Sequence, residues 1–93
     1  MNPEHKIENE IKEYLHKKGY YYFKINQPHR HARNKPGIAD LYAIRNGVSF
    51  WIEVKTPTGT QSDAQIKFES NIKDHGGNYI IARSVEDLRQ NKI

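Results

Sequence analysis

The dipeptide Asn46-Gly47 separates two apolar, β-rich segments, residues 38–45 and 48–55. Both central residues of a two-residue type I′ turn need positive φ, and Asn-Gly is the preferred pair at these positions. The pattern therefore predicts a β-hairpin with this dipeptide as its turn. A two-residue turn also sets the register of the two strands, because residue pairs are then counted outward from the turn.

Counted in this way, Asp40 stands directly opposite Glu53. Opposed side chains point to the same face with Cβ atoms about 4.5–5.5 Å apart, so two carboxylates would lie side by side. Side chains alternate along a strand, which places Lys55 on the same face as Glu53. This geometry requires an unbulged hairpin. The opposite face is apolar and carries Ala39, Leu41, Ala43, Val48, Phe50, Ile52 and Val54.

Two opposed carboxylates repel each other, and the fold gains nothing from them. A divalent cation such as Mg²⁺ or Mn²⁺ prefers carboxylate oxygen and would remove the repulsion. Such a cation polarises a phosphoryl oxygen and lowers the pKa of bound water, while a neighbouring lysine stabilises negative charge. Asp40, Glu53 and Lys55 therefore indicate metal-assisted phosphodiester hydrolysis. The alternative is a surface ion pair of Lys55 with a carboxylate on a solvated sheet face.

The remaining segments predict an α/β protein with the element order α-β-β-β-α-β-α. A chain of 93 residues allows a single domain, residues 1–93. Residues 26–37 are too polar and irregular for a helix or a strand, and we expect an exposed basic loop. The other predicted elements are a helix over residues 3–18 that ends at Gly19, a strand over 20–25, a helix over 62–75, a strand over 79–82, and a short helix that Ser84 and Asp87 open.

Two further polar residues belong to the candidate site. Glu10 lies at the border of the apolar face of the first helix, from which it could reach the sheet, whereas Glu8 falls on the polar side. A charge at the rim of the helix is the alternative for Glu10. Gln65 shares its helix face with apolar residues and should point inward. Its alternative role is local, as the capping-box partner of Ser62.

Composition narrows the possible functions. The chain has no cysteine, which excludes disulfides, thiolate metal sites and cysteine nucleophiles and fits a reducing compartment. No apolar stretch approaches the ~20 residues of a membrane span, so we expect neither a membrane protein nor an exported one. The net charge of +4 favours a polyanionic partner. A hydrophobic fraction of 35% implies a thin core, which favours a homodimer.

Together these residues resemble the PD-(D/E)XK nuclease superfamily. Within it, the chain is most similar to the VRR-NUC (virus-type replication-repair nuclease) branch in its minimal stand-alone form. The sequence has Ala39 before Asp40, where proline is typical of the superfamily, but this change removes no ligand. The segments that carry the resemblance are Gly37-Ile38-Ala39-Asp40-Leu41, Trp51-Ile52-Glu53-Val54-Lys55, Gln65 and Gly76-Gly77-Asn78-Tyr79.

The resemblance implies a restriction-endonuclease-like α-β-β-β-α-β core, with a central mixed sheet flanked by helices. It implies that Mg²⁺ or Mn²⁺ is bound by Asp40, Glu53 and the carbonyl oxygen of Val54, and that Lys55 is catalytic. The helix residue matching Glu10 and the helical Gln65 would assist in positioning metal or substrate.

The function implied is that of a metal-dependent endonuclease acting on branched DNA, including four-way junctions, as a homodimer. Its setting would be replication or repair in the cytoplasm of a bacterium or a phage-infected cell. Basic side chains near the site would contact the DNA backbone. The alternatives are a non-catalytic basic DNA-binding module of a phage or bacterial replication or repair complex, and a purely structural phage component. The candidate DNA-binding residues are Lys24, Arg30, His31, Arg33 and Lys35.

Overall fold

The computed structural model of the protein describes residues 2–25 and 35–93. Within these residues the elements follow the predicted order α-β-β-β-α-β-α. They are α1 (Pro3–Lys17), β1 (Tyr21–Lys24), β2 (Leu41–Arg45), β3 (Val48–Val54), α2 (Asp63–Asp74), β4 (Tyr79–Ala82) and α3 (Val85–Gln90). None of the helices in the described ranges is both long enough and apolar enough to cross a membrane.

The hairpin of β2 and β3 has the predicted turn and register. Asn46 and Gly47 adopt positive φ angles of 52° and 79°. Arg45 pairs with Val48, and the pairing continues without a bulge to Leu41 opposite Ile52. The prediction made from the Asn-Gly turn is therefore confirmed, because the turn conformation leaves one register for the two strands.

The four strands form one sheet in the order β1-β2-β3-β4. β1 pairs with β2 and β2 pairs with β3 in antiparallel orientation, and β4 runs parallel to β3 after the crossover through α2. The sheet is thus mixed, as predicted. One face packs against α1 and α3 and forms the core, whose buried side chains include Ile11, Leu15, Leu41, Ala43, Ile52, Val54, Ala82 and Leu88.

The other face of the sheet carries polar groups at one end and a row of aromatic rings beside them. The ring centroids of Tyr42 and Trp51 lie 5.1 Å apart, and Phe68 of α2 packs edge-on against Trp51 at 5.4 Å. The helix α2 covers only part of this face, and none of its residues is buried. Phe23, on the edge strand β1, is 45% exposed.

Side-chain hydrogen bonds account for two differences from the prediction, at the starts of β2 and α3. The strand expected from residue 38 begins at Leu41, because the N–H of Val54 donates to the carboxylate of Asp40 rather than to a strand carbonyl. At α3, Ser84 makes no side-chain cap, and Asp87 instead accepts a hydrogen bond from the N–H of Arg83 at 2.8 Å.

Candidate active site

The carboxyl groups of Asp40 and Glu53 lie close enough together for the negative charge of Asp40 to raise the pKa of Glu53. Glu53 is only 2% exposed. The N–H of Val54 donates to Oδ2 of Asp40 at 2.7 Å, which fixes Asp40 beside the end of β3. The register derived from the turn thus leads to the pair of carboxyl groups found in the structure.

The two oxygens of Glu53 have different surroundings. Nε2 of Gln65 donates to Oε2 at 3.0 Å, and Nζ of Lys55 lies 4.0 Å from the same oxygen. Oε1 is buried and accepts no hydrogen bond from a donor among the described residues. A buried carboxylate oxygen without a donor is costly, so a proton, a cation or a water molecule is needed to complete its environment.

Electrostatics at the pair favour the protonated form of Glu53 when no cation is bound. Burial, together with the hydrogen bond and the negative charge of Asp40, raises the pKa of Glu53 to about 9, against the opposing effect of Lys55. Near neutral pH the cation-free pair therefore retains a proton. A divalent cation at the pair would have to displace that proton.

Gln65 performs both of the roles that the sequence offered as alternatives. Its Oε1 accepts a hydrogen bond from the N–H of Ser62 at 2.9 Å, and its own backbone N–H donates to Oγ of Ser62, which forms a complete capping box. The side-chain amide also donates through Nε2 to Glu53. The cap at the start of α2 thus orients the amide toward the carboxyl pair.

Comparison with solved structures identifies the fold. A structure described as a VRR-NUC domain matches this chain with a TM-score of 0.80 and 20% sequence identity, covering 97% of this chain and 94% of the other. The chain has the fold of a VRR-NUC domain. The expected restriction-endonuclease-like core is therefore confirmed. No family model matches the sequence, and no curated protein matches it either.

Within this VRR-NUC fold, the side chain of Glu10 is exposed on α1 and forms no hydrogen bond or ion pair with any described residue. A role for Glu10 at the site stays a prediction. The negative charge of Glu4, by contrast, contributes to the raised pKa of Glu53. Glu4 stands three residues before Ile7 and seven before Ile11, so it extends the apolar face, whereas Glu10 is about 100° away from Ile11. This spacing is the sequence signal that points to Glu4.

Glu8 is buried, contrary to the prediction that it lies on the polar side of the first helix. It is 5% exposed, and Lys12 and Lys24 each approach its Oε2 to 3.2 Å. Burial alone would raise the pKa of Glu8, but hydrogen bonds from the two lysines hold the pKa below its usual value. The prediction was wrong because β1 brings Lys24 over this part of the helix.

The predicted DNA-binding residues are only partly described. Lys24 is engaged with Glu8 and lies on the edge strand β1. Lys35 lines a groove beside α2 together with Lys67 and Phe68. The other three predicted residues, Arg30, His31 and Arg33, lie outside the described residues.

Donors for a metal ion at this site come from two carboxyl groups. Within residues 2–25 and 35–93, no group of three or more His, Asp or Glu side chains is arranged to hold a metal. Asp40 and Glu53 would therefore supply the side-chain ligands, and a backbone carbonyl, water and substrate would have to complete the coordination. Mg²⁺ characteristically binds in this way, through one or two carboxylates and several waters.

The segment that leads into Asp40 is packed tightly against α2 at Gly37. Gly37 has a φ angle of 74°, and a Cβ atom there would collide with the backbone carbonyl of Ala64. We expect Gly37→Ala to lower the free energy of unfolding by about 2–5 kcal/mol, from backbone strain and overpacking together. Urea denaturation measures this loss.

Gly19 provides the matched control for this substitution. Its φ angle is 81°, yet nothing lies within 4 Å of the position that a Cβ atom would take. Gly19→Ala should therefore lose only the strain contribution of about 1–2 kcal/mol. Equal losses for the two variants would contradict the close contact between residue 37 and α2.

Proposed function

We propose that this protein is a metal-dependent nuclease that hydrolyses phosphodiester bonds of DNA at Asp40 and Glu53. The observation that carries the proposal is the buried Oε1 of Glu53, which has no hydrogen-bond donor among the described residues and belongs to a pair of carboxyl groups. Lys55, close to the same carboxyl group, supplies the positive charge that the reaction needs.

The donor set suits Mg²⁺ or Mn²⁺. Asp40 and Glu53 would hold the ion, and Val54 would add its carbonyl oxygen, next to the N–H group that it presents to Asp40. When bound, the ion supplies Lewis acidity toward a phosphoryl oxygen and lowers the pKa of a bound water. Asp40 is held in place by the Val54 N–H, and Glu53 by the amide of Gln65.

Lys55 would act on the reacting phosphate itself. Its side chain is only 13% exposed, so its charge is less screened than that of a surface lysine. At this position the ammonium group can orient the attacking water and stabilise the negative charge that develops on the phosphate. Glu4, placed near the pair by α1, takes the supporting role that the sequence predicts for Glu10.

The DNA would approach across the basic side of the hairpin. The net charge of +4 supports a polyanionic substrate, and Lys35 lies in the segment that leads into Asp40, whereas Lys24 is engaged with Glu8 of α1. A homodimer would present two such sites to the strands of a four-way junction, and the exposed aromatic residues Tyr21 and Phe23 of β1 offer apolar area for the dimer. This activity would serve replication or repair in a bacterial or phage-infected cytoplasm.

Cleavage of labelled DNA tests the proposal. Linear duplex, single strand, splayed arm and four-way junction are incubated with Mg²⁺, Mn²⁺ or EDTA. The wild type should cut only with metal and should cut the junction fastest, while Asp40→Asn should bind the DNA without cutting it. If the wild type binds every substrate and cuts none with either metal, the protein is instead a non-catalytic DNA-binding module.

A further inference from the structure

An open cavity of about 490 Å³ lies between α2 and the aromatic face of the sheet. Its volume falls within the range of about 300–1,000 Å³ that is typical of small-molecule sites. Most of its surface is apolar, and its walls include Ile38, Trp51, Phe68 and Ile72, with Lys35, Asn71 and His75 as polar members. None of these residues belongs to the carboxyl pair described above.

Three residues of the cavity wall lie close to site residues along their own segments of the chain. Trp51 precedes Glu53 by two residues on the same face of β3, which corresponds to about 6–7 Å along the strand. Ile38 precedes Asp40 by two residues, and Phe68 lies one helical turn after Gln65. Each of these lining residues is thus separated from a site residue by two residues of strand or one turn of helix. This separation is close to the distance between a phosphate and its own base in a nucleotide chain.

We propose that this cavity binds an unpaired nucleobase next to the phosphate held at Asp40 and Glu53. The inference rests on the proposed nuclease function and names its substrate class, which is DNA with an unpaired nucleotide beside the cut. Aromatic walls provide stacking surfaces for the flat face of a base, and the amide of Asn71 can pair with its polar edge.

The charges around the cavity fit a nucleotide better than an apolar side chain from a second copy of this chain. Lys35 lines both this cavity and the neighbouring groove, where Lys67 also lies, so two cationic side chains follow the rim. A base that is paired and stacked within a duplex cannot enter a concave site of this kind without leaving the stack. Unpaired positions in single strands and branched DNA are therefore the preferred occupants.

Trp51 is the only tryptophan in the sequence, so its emission reports directly on this cavity. The full chain is titrated with a single-stranded oligonucleotide, a splayed-arm DNA and a blunt duplex, in EDTA and again in Ca²⁺. Fluorescence anisotropy of labelled DNA measures binding in parallel. We expect the single strand and the splayed arm to quench Trp51 and the duplex to leave it unchanged at equal occupancy.

Matched aromatic substitutions separate the cavity from the other aromatic residues of the sheet. Phe68→Leu should weaken single-strand binding about five-fold or more, because it removes an aromatic wall, whereas duplex affinity should stay within about two-fold. Tyr22→Leu is the control, since Tyr22 packs against His16 of α1 on the opposite face of the sheet and lies outside the cavity lining. Asn71 lines the cavity and is itself exposed, so Asn71→Ala gives a second test that does not depend on aromatic packing. This variant should also weaken single-strand binding.

The outcomes distinguish this inference from the proposed nuclease function. Metal-dependent cleavage without any quenching of Trp51 by DNA would overturn the base site and leave the nuclease intact. Quenching without cleavage would support the base site and count against catalysis. Emission that changes with protein concentration, and not with DNA, would show that a second copy fills the cavity and would overturn the inference.

Discussion

The metal-free protein should lose stability as the pH rises from about 4.5 to 9, and Glu53→Gln should abolish this loss. Glu53 in the folded state has a pKa of about 9, against 4.5 for the unperturbed group. Over this range the folded state binds a proton that the unfolded state has released, so the free energy of unfolding falls with increasing pH. Between pH 4.5 and 7 the loss from this one group is about 2–4 kcal/mol.

Thermal unfolding in EDTA from pH 5 to 9 measures the effect. Glu53→Gln keeps the size of the side chain and an oxygen that can accept the hydrogen bond from Gln65, so the difference between the two curves isolates the carboxyl group. Glu8 does not account for a loss of stability with rising pH. Its pKa is lowered in the folded protein, so its contribution to stability is lost only when the pH falls. Parallel pH curves for wild type and variant would contradict a raised pKa at Glu53.

The same pair of proteins reports on the cation. At pH 8, Mg²⁺ or Mn²⁺ should raise the melting temperature of the wild type, because binding to the folded state alone stabilises it. Glu53→Gln should show little response, since the amide cannot replace the anionic ligand. The substitution would thus stabilise the metal-free protein and remove its activity, which is the behaviour expected of a residue retained for function rather than for the fold.

Lys55→Ala should reduce the rate of DNA cleavage by at least about 100-fold while leaving DNA binding largely intact. The ammonium group lies 4.0 Å from Glu53, on the face where the phosphate would bind, and it offsets the rise in the pKa of Glu53. Removing it eliminates the charge that stabilises the transition state, an effect of about 10²–10³ in comparable sites. Single-turnover cleavage with saturating protein measures the chemical step.

Lys73→Ala is the matched control for this substitution. It removes the same charge from the protein, but Lys73 forms an exposed ion pair with Glu69 on α2 at 2.7 Å. Its cleavage rate should remain within about two-fold of the wild type, because exposed pairs of this kind contribute little. A Lys55→Ala protein that also cleaves at nearly the wild-type rate would remove Lys55 from the mechanism.

Local chemistry made the hairpin and the capping box predictable from the sequence. Asn46 and Gly47 favour a type I′ turn, and this turn places Asp40 opposite Glu53 provided that the hairpin has no bulge. The inward direction of the Gln65 side chain was likewise predictable from its position on the helix face, and its capping role from its spacing to Ser62. In each of these cases the deciding interactions are between residues close in sequence, or are fixed by the geometry of one turn.

Contacts between distant segments determine the features that the sequence does not predict. The orientation of α1 depends on how β1 packs against it, and Lys24 from that strand buries Glu8. The cavity beside Trp51 arises from the distance between α2 and the sheet, which no local pattern specifies.

Binding of Mn²⁺ tests most directly whether the carboxyl pair is a metal site. Electron paramagnetic resonance measures free Mn²⁺ during titration of the wild type, Asp40→Asn and Glu53→Gln at pH 8, with Glu10→Gln as the control for an exposed carboxylate. We expect one site per chain in the wild type and in Glu10→Gln, and at least a tenfold loss of affinity in the other two variants. Equal Mn²⁺ binding by all four proteins would contradict a metal site at Asp40 and Glu53.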